Sequence, residues 1–398
     1  MKLADRLNVI SESATLKLNA LAQKMKSEGV DVVNLTAGEP DFHILEPTKE
    51  AAHQAINNNK SRYTPVPGIP ELRAAVAKKT NAQQPGQDWK ADNVLVSNGG
   101  KQALYNTLLA LVNPGDEVAM VSPFWLSYPE MTKLAQGTPK VLYPKNRETF
   151  KLTAQELREG LTSKTKVLIL NSPSNPAGVL YTKEELAEMA GVLKDFPDVI
   201  VISDEIYDRI ILGDTPFTSF LAAAPDFKDR VVTCNGMSKA HAMTGWRVGW
   251  IVASQDLVKA VGRLQGQTTS GVNGVAQWAS VEGLGLPESA FSEQVQSYQK
   301  RRSLVLETLV KKGKMKVCEP QGAFYAFVSV EAGLNEGEDA VGWCERLLQE
   351  AKVAAIPGTP FGEPGFIRIS FATDEKSLQE GCDRLVHFYQ KTVEEGCS

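Results

Sequence analysis

The stretch Arg230-Val-Val-Thr-Cys-Asn-Gly-Met-Ser-Lys239-Ala-His-Ala-Met-Thr-Gly-Trp-Arg247-Val-Gly-Trp-Ile-Val252 decides how this chain is read. Two apolar runs flank a segment of small and polar residues that holds one lysine and one arginine. Runs rich in β-branched residues, without polar alternation, fit strands buried on both faces. Four more such runs lie upstream: Val94-Leu-Val, Glu117-Val-Ala-Met-Val, Lys166-Val-Leu-Ile-Leu and Val199-Ile-Val-Ile. Longer amphipathic stretches separate them, and that alternation predicts an α/β sheet. Five runs end in polar clusters: Ser97-Asn-Gly-Gly-Lys, Ser122-Pro-Phe-Trp, Asn171-Ser-Pro-Ser-Asn-Pro, Ser203-Asp-Glu-Ile-Tyr and Cys234-Asn-Gly-Met-Ser-Lys. Ligands of open α/β sheets bind beyond the carboxyl ends of the strands, so the five clusters are expected on one rim.

Past residue 285 the pattern changes. Helical periodicity runs from Glu293 to Lys312, then come the strand-like Gly322-Ala-Phe-Tyr-Ala-Phe-Val, a helix near 340–351, Ile367-Arg-Ile-Ser and a last helix near 375–390. This predicts a smaller α+β domain over 286–398, beside a large domain over 41–285. Residues 1–40, with a helix over Leu16–Ser27 and the strand-like Val32-Val-Asn-Leu, are expected to pack with the small domain. The 398 residues carry 43 Lys plus Arg against 47 Asp plus Glu, a formal charge of −4. Without a basic block, nucleic acid is excluded as the main ligand. Five scattered cysteines without a CxxC pair fit a reducing compartment, and four histidines without ligand spacing predict no metal site. No apolar run approaches a bilayer span, so the expectation is a cytoplasmic protein that binds no membrane.

The chemistry gathers on few residues. Lys239 has mostly small or apolar neighbours, so it either reaches for water or has a depressed pKa and a covalent task. Ser238 and Arg247 together suit an anion, although an arginine alone serves a structural salt bridge equally well. Gly99-Gly100-Lys101 leads from a strand into a helix, and free amides at a helix start bind phosphate. It is no P-loop, because Leu95 stands where that motif has glycine and Gln102 where it has Ser or Thr. Asp204 ends a buried run, where its carboxylate needs a cation; the alternatives are a protonated ring nitrogen and the cap of a following helix. Tyr207, Asn175 and Trp125 add a phenol, an amide and a stacking face at neighbouring strand ends.

Taken in order and spacing, these residues resemble class I aminotransferases, pyridoxal-phosphate enzymes of the aspartate aminotransferase fold type. Seven stretches carry the resemblance across nearly the whole chain: Leu35-Thr-Ala-Gly-Glu-Pro-Asp-Phe, Tyr63-Thr-Pro-Val-Pro-Gly-Ile-Pro-Glu-Leu-Arg, Gly99-Gly-Lys-Gln-Ala-Leu, Asn171-Ser-Pro-Ser-Asn-Pro-Ala-Gly, Ser203-Asp-Glu-Ile-Tyr, Ser238-Lys through Thr244-Gly-Trp-Arg-Val-Gly, and Ile367-Arg-Ile-Ser. The resemblance implies an α/β large domain with a mainly parallel seven-stranded sheet, a small α+β domain and a homodimer with shared active sites. It implies that Lys239 is the Schiff-base lysine and proton shuttle, and that Asp204 keeps the pyridine nitrogen protonated. Tyr207 and Asn175 would bond the ring oxygen, and Trp125 would stack on the ring. Ser238, Arg247 and the amides of Gly100 and Lys101 would hold the phosphate, with Tyr63 reaching it from the other subunit. Arg368, assisted by the Gly38 amide, would grip the substrate α-carboxylate.

Substrate choice follows from two further positions. Lys101 and Thr15 resemble the pair that binds the distal carboxylate in the bacterial branch of aspartate aminotransferases lacking a second substrate arginine. A lysine at a helix start is mildly unfavourable to the dipole, which hints at a use. The implied reaction is L-aspartate plus 2-oxoglutarate to oxaloacetate plus L-glutamate. Prephenate or aromatic substrates in the same branch, and a carbon–sulfur lyase on the same scaffold, are the alternatives. A transcription regulator would need an added basic DNA-binding module, and none is expected from these residues. One departure is Gly236, where some members place a phosphate-binding Ser or Thr, so the phosphate cup is expected to have one hydroxyl fewer.

Overall fold

The computed structural model describes residues 3–10 and 14–396. Strand β1 (Val33–Asn34) comes first, followed by the seven strands of the large sheet: β2 (Val94–Asn98), β3 (Glu117–Val121), β4 (Thr138–Leu142), β5 (Thr165–Asn171), β6 (Ile200–Asp204), β7 (Val231–Gly236) and β8 (Val248–Val252). Their spatial order is β2-β8-β7-β6-β5-β3-β4. The ladders β3–β4, β3–β5, β5–β6 and β6–β7 are parallel, whereas β8 runs antiparallel to both β7 and β2. The link from β7 to β8 spans 237–247, too short for the helical crossover that a parallel pair needs.

Period-two alternation divides the strand side chains between two apolar layers. Val94, Val96, Leu168, Leu170 and Val201 join one buried cluster, while Leu95, Val167, Ile169 and Ile202 join the other. Helices cover both faces, which is why the strands read as continuous apolar runs. Truncating one of these buried leucines or isoleucines to alanine costs about 2–5 kcal/mol. Local signals set helix starts: Thr182 caps Lys183–Leu193 in a reciprocal pair with Glu185, and Pro70 opens Pro70–Gln83.

A second body of structure holds β9 (Val317–Cys318), β10 (Tyr325–Ser329), β11 (Val353–Ala354), β12 (Ile356–Pro357) and β13 (Phe366–Ser370). Four of these strands form an antiparallel sheet in the order β12-β13-β10-β9. Helix Ser292–Leu306 and the long helix Glu375–Gly396 accompany it. Strand β1 pairs in parallel with β11, and the Ser370 amide donates to the Leu35 carbonyl at 2.8 Å. Those bonds fasten the segment leading to Gly38 beside β13, and with it one wall of the site described next.

Candidate active site

The carboxyl ends of β2, β3, β5, β6 and β7 open onto a cavity of about 440 Å³. Lys239 follows β7, and its ammonium donates to the Gly38 carbonyl while lying 5.7 Å from the ring centres of Tyr207 and Phe324. Asp204, the last residue of β6, is 4% exposed. Its Oδ2 accepts from the Tyr128 hydroxyl at 2.6 Å and its Oδ1 from the Ile206 amide at 3.3 Å. Burial pushes this carboxyl up to about 6, only partly offset by those bonds and by the Lys239 charge. No described cation pairs with it, and it caps no described helix. Tyr207 bonds the Tyr325 hydroxyl at 3.1 Å, and burial, followed by Tyr325, holds its phenol well above the usual range.

The other end of the cavity is built for an anion. Helix Gly100–Leu111 points its first turn inward, after Gly99 at φ 83°. A Cβ on Gly99 would meet the Arg247 guanidinium, and one on Gly249 would meet the Gly100 amide, so glycine at both positions keeps this corner tight. Arg247, itself at φ 57°, donates to the carbonyls of Thr244 at 2.8 Å and Asn98 at 3.4 Å. Its charge meets no carboxylate among the described residues, which sets aside a structural salt bridge. Ser238 lies alongside, its hydroxyl without a hydrogen bond among the described residues. The Lys101 ammonium sits 5.0 Å from the Trp125 ring centre, and burial, followed by Arg247, lowers its pKa.

Arg368 closes the wall from β13. It is 5% exposed, donates to Asn175 Oδ1 at 3.0 Å and the Thr36 carbonyl at 2.9 Å, and lies 4.4 Å over the Tyr325 ring. Its Nε is buried without a partner, and no carboxylate pairs with it among the described residues. Burial lowers its pKa. An arginine held this way is complete only when an anion arrives.

The cavity thus gathers Gly38, Gly100, Lys101, Trp125, Asn175, Asp204, Tyr207, Ser238, Lys239, Arg247 and Arg368 from across the sequence. Five expected positions differ in detail or lie elsewhere. The Gly38 group engaged here is its carbonyl, and the carbonyl oxygen of Asn175 is spent on Arg368. Tyr63 is absent from this wall; it is fully exposed and lines a separate surface hollow of about 620 Å³ with Gly271 and Val272. Thr15 falls in helix Ala14–Ser27, but its side chain lies outside the described residues. At Gly236 an added Cβ would stand 2.8 Å from the Val248 carbonyl, so the β7–β8 contact itself calls for glycine. Sequence reasoning missed Tyr128, Tyr325, Asn171, Glu39 and Thr244, all in the cavity wall. The available signal was that a buried tyrosine hydroxyl needs a partner.

An amine set among aromatic rings, a buried carboxylate lacking its cation and an anion cradle at a helix start define an enzyme that handles a phosphorylated cofactor through a lysine. The chain belongs to the family described as aminotransferase class I and II, whose model matches residues 30–385. It is 43% identical to an aspartate aminotransferase of Thermotoga maritima, over 96% of this chain and 98% of that one. It is 41% identical to a probable aspartate/prephenate aminotransferase of Rhizobium leguminosarum, over 97% of this chain and 98% of that one. A solved aspartate aminotransferase of Thermus thermophilus with maleate superposes with a TM-score of 0.91 at 37% identity, covering 98% of this chain and 100% of that one. The protein is therefore an aminotransferase dependent on pyridoxal phosphate. The cavity fits that cofactor, with the cradle suited to its phosphate and the Asp204 carboxyl suited to a ring cation.

Proposed function

We propose that this enzyme exchanges amino groups between L-aspartate and 2-oxoglutarate, giving oxaloacetate and L-glutamate in two half-reactions that share one site. The carrying observation is Arg368, buried with no carboxylate partner among the described residues, in the same cavity as a second cation, the Lys101 ammonium, that the anion cradle does not need. Two such cations suit a substrate with two carboxylates. When bound, pyridoxal phosphate supplies an electron sink for the pair left as the substrate Cα loses its proton.

The residues divide the remaining work. Lys239 would hold the cofactor covalently and, once the substrate amine has displaced it, would move the proton from the substrate Cα. Asp204 would hold the ring nitrogen protonated, a positive charge that would offset the burial of its own carboxylate. Tyr207 and the Asn175 amide nitrogen would hold the ring oxygen, and Trp125 would stack on the ring. The amides of Gly100 and Lys101, with Ser238 and Arg247, would hold the phosphate. Arg368 takes the α-carboxylate, with Gly38 beside it, and Lys101 with Thr15 takes the distal one. The relatives named as aspartate aminotransferases, one of them solved with the dicarboxylate maleate, support this reading. A relative named for aspartate and prephenate supports prephenate as the second substrate, since it too carries two carboxylates.

The reading includes a cytoplasmic homodimer in which Tyr63 reaches the partner's phosphate site. A fully exposed tyrosine beside a glycine-bearing hollow supports that arrangement. No described helix is long and apolar enough to cross a membrane, and the four described cysteines are free. Domains over 41–285 and 286–398, with 1–40 joined to the second, accord with the β1–β11 pairing. The test is the visible spectrum of the purified protein, before and after L-aspartate is added without an oxo acid. A yellow band that bleaches is expected. A band that aspartate leaves untouched would overturn the substrate, and no band after supplying pyridoxal phosphate would overturn the site.

A further inference from the structure

Tyr325 touches three parts of the site yet has no role in the scheme above. It is fully buried on β10. Its hydroxyl lies 3.1 Å from that of Tyr207 and 3.4 Å from the Gly38 carbonyl, the same carbonyl that Lys239 reaches. Its ring face carries the Arg368 guanidinium at 4.4 Å. We propose that Tyr325 is a positioning residue with two separable parts: its hydroxyl aims the proton of Tyr207 into the cavity, and its ring holds the Arg368 fork flat for a carboxylate.

Donor counting carries the first part. Each phenol has one hydrogen and can also accept. If Tyr207 gives its hydrogen to Tyr325, it meets the cavity only as an acceptor. If Tyr325 gives its hydrogen to Tyr207, the Tyr207 hydrogen is free for an oxygen in the cavity, and the chain of two bonds strengthens that donation. The contact to Tyr207, at 3.1 Å, is shorter than the one to the Gly38 carbonyl, at 3.4 Å, so the second arrangement prevails. The second part rests on the stacking distance: Tyr325 is the nearer of two aromatic rings beside the guanidinium, at 4.4 Å against 5.5 Å for Phe361, and the guanidinium's two acceptors are neutral, with no carboxylate among the described residues to orient it. The ionisable groups acting on the phenol pair are Arg368 and Asp204 from β13 and β6, Tyr128 and Tyr298 from helices Ser127–Leu134 and Ser292–Leu306, and Lys239. All remain in a Tyr325→Phe variant, so that variant isolates one hydroxyl.

This inference rests on the assignment of Tyr207 to the cofactor oxygen and Arg368 to the α-carboxylate. The experiment uses the cofactor-loaded enzyme and two readouts: the pH midpoint of the visible band, and the dissociation constant of maleate followed by the same band. Tyr325→Phe is expected to raise the midpoint by about 0.5 to 1 unit, the worth of one neutral hydrogen bond, and to leave maleate affinity within about twofold. Tyr325→Leu is expected to weaken maleate a further 3- to 30-fold or so through the lost ring face. A midpoint that Tyr325→Phe does not move overturns the role of the hydroxyl. Equal loss of maleate affinity in both variants overturns the role of the ring. Absence of the band from the unaltered protein would instead overturn the cofactor reading, so the two failures are distinct.

Discussion

Replacing Gly99 by alanine should damage cofactor binding more than any direct contact of the new methyl group would suggest. Gly99 sits at φ 83°, ψ 163°, a region that is essentially reserved for glycine, and forcing another residue there costs about 1–3 kcal/mol. The new Cβ would also lie 2.7 Å from Arg247 Cζ and closer still to its Nη2, so the guanidinium must leave the corner. Its 3.4 Å bond to the Asn98 carbonyl goes first. If Arg247 holds the phosphate, the loss of one charge-assisted bond is worth about 1.5–3 kcal/mol, or roughly 10- to 150-fold in affinity. Titrating the cofactor-free variant with pyridoxal phosphate measures the second quantity, and urea unfolding measures the first. Gly100→Ala serves as the control for stability, because no atom lies within 4 Å of its added Cβ and its φ is not positive. Cofactor affinity within twofold of the unaltered protein would refute the placement of Arg247 at the phosphate, and unchanged stability would refute the backbone argument.

Three other outcomes are expected. Asp204 sits at about 6 when folded, against about 3.9 in an unfolded chain, so its contribution to the cofactor-free fold is present below pH ~4 and lost as pH rises to 6. Asp204→Asn should therefore gain on the unaltered protein by on the order of 2–3 kcal/mol between pH 4 and 7 in urea titrations, and a constant difference would contradict this. Lys101→Ser should lower kcat/KM for L-aspartate by roughly 10- to 100-fold and for L-alanine by less than about threefold; equal losses would remove Lys101 from substrate choice. Lys239→Ala should retain cofactor without an adduct fixed by borohydride in the mass spectrum, with transamination down by several orders of magnitude, and an adduct at another lysine would be the contrary result.

Six strands of the large sheet were legible because burial on both faces leaves no polar alternation to confuse them. The seventh, Thr138–Leu142, was not read from its residues: it is one of the two edge strands and, unlike β2 at the other edge, carries Pro139 and Lys140 and is only half-buried over most of its length. The resemblance alone supplied its place. Strands β9, β11 and β12 are two residues each, below the length at which a period can be seen. In the site, Lys239, Asp204 and Arg368 stood out because a charge at the end of an apolar run demands a reason. Tyr128 and Tyr325 did not, since a tyrosine inside a helix or strand pattern passes for core until its hydroxyl partner is seen in three dimensions. The turn from Val248 back along the sheet was implicit in the short link before it, a constraint of length rather than of composition.

Arg368 carries a consequence for how this sequence can vary. Its guanidinium is buried on neutral acceptors, with one nitrogen unpaired, and a cation in that setting burdens the free fold. Selection for heat resistance alone, with activity unscreened, would therefore erode arginine at this position in favour of an uncharged side chain of similar reach. Selection in the presence of a dicarboxylate would preserve it, because the bound anion turns the same liability into cohesion. Laboratory lineages propagated under the two regimes should part company at this codon before they diverge in the surrounding core.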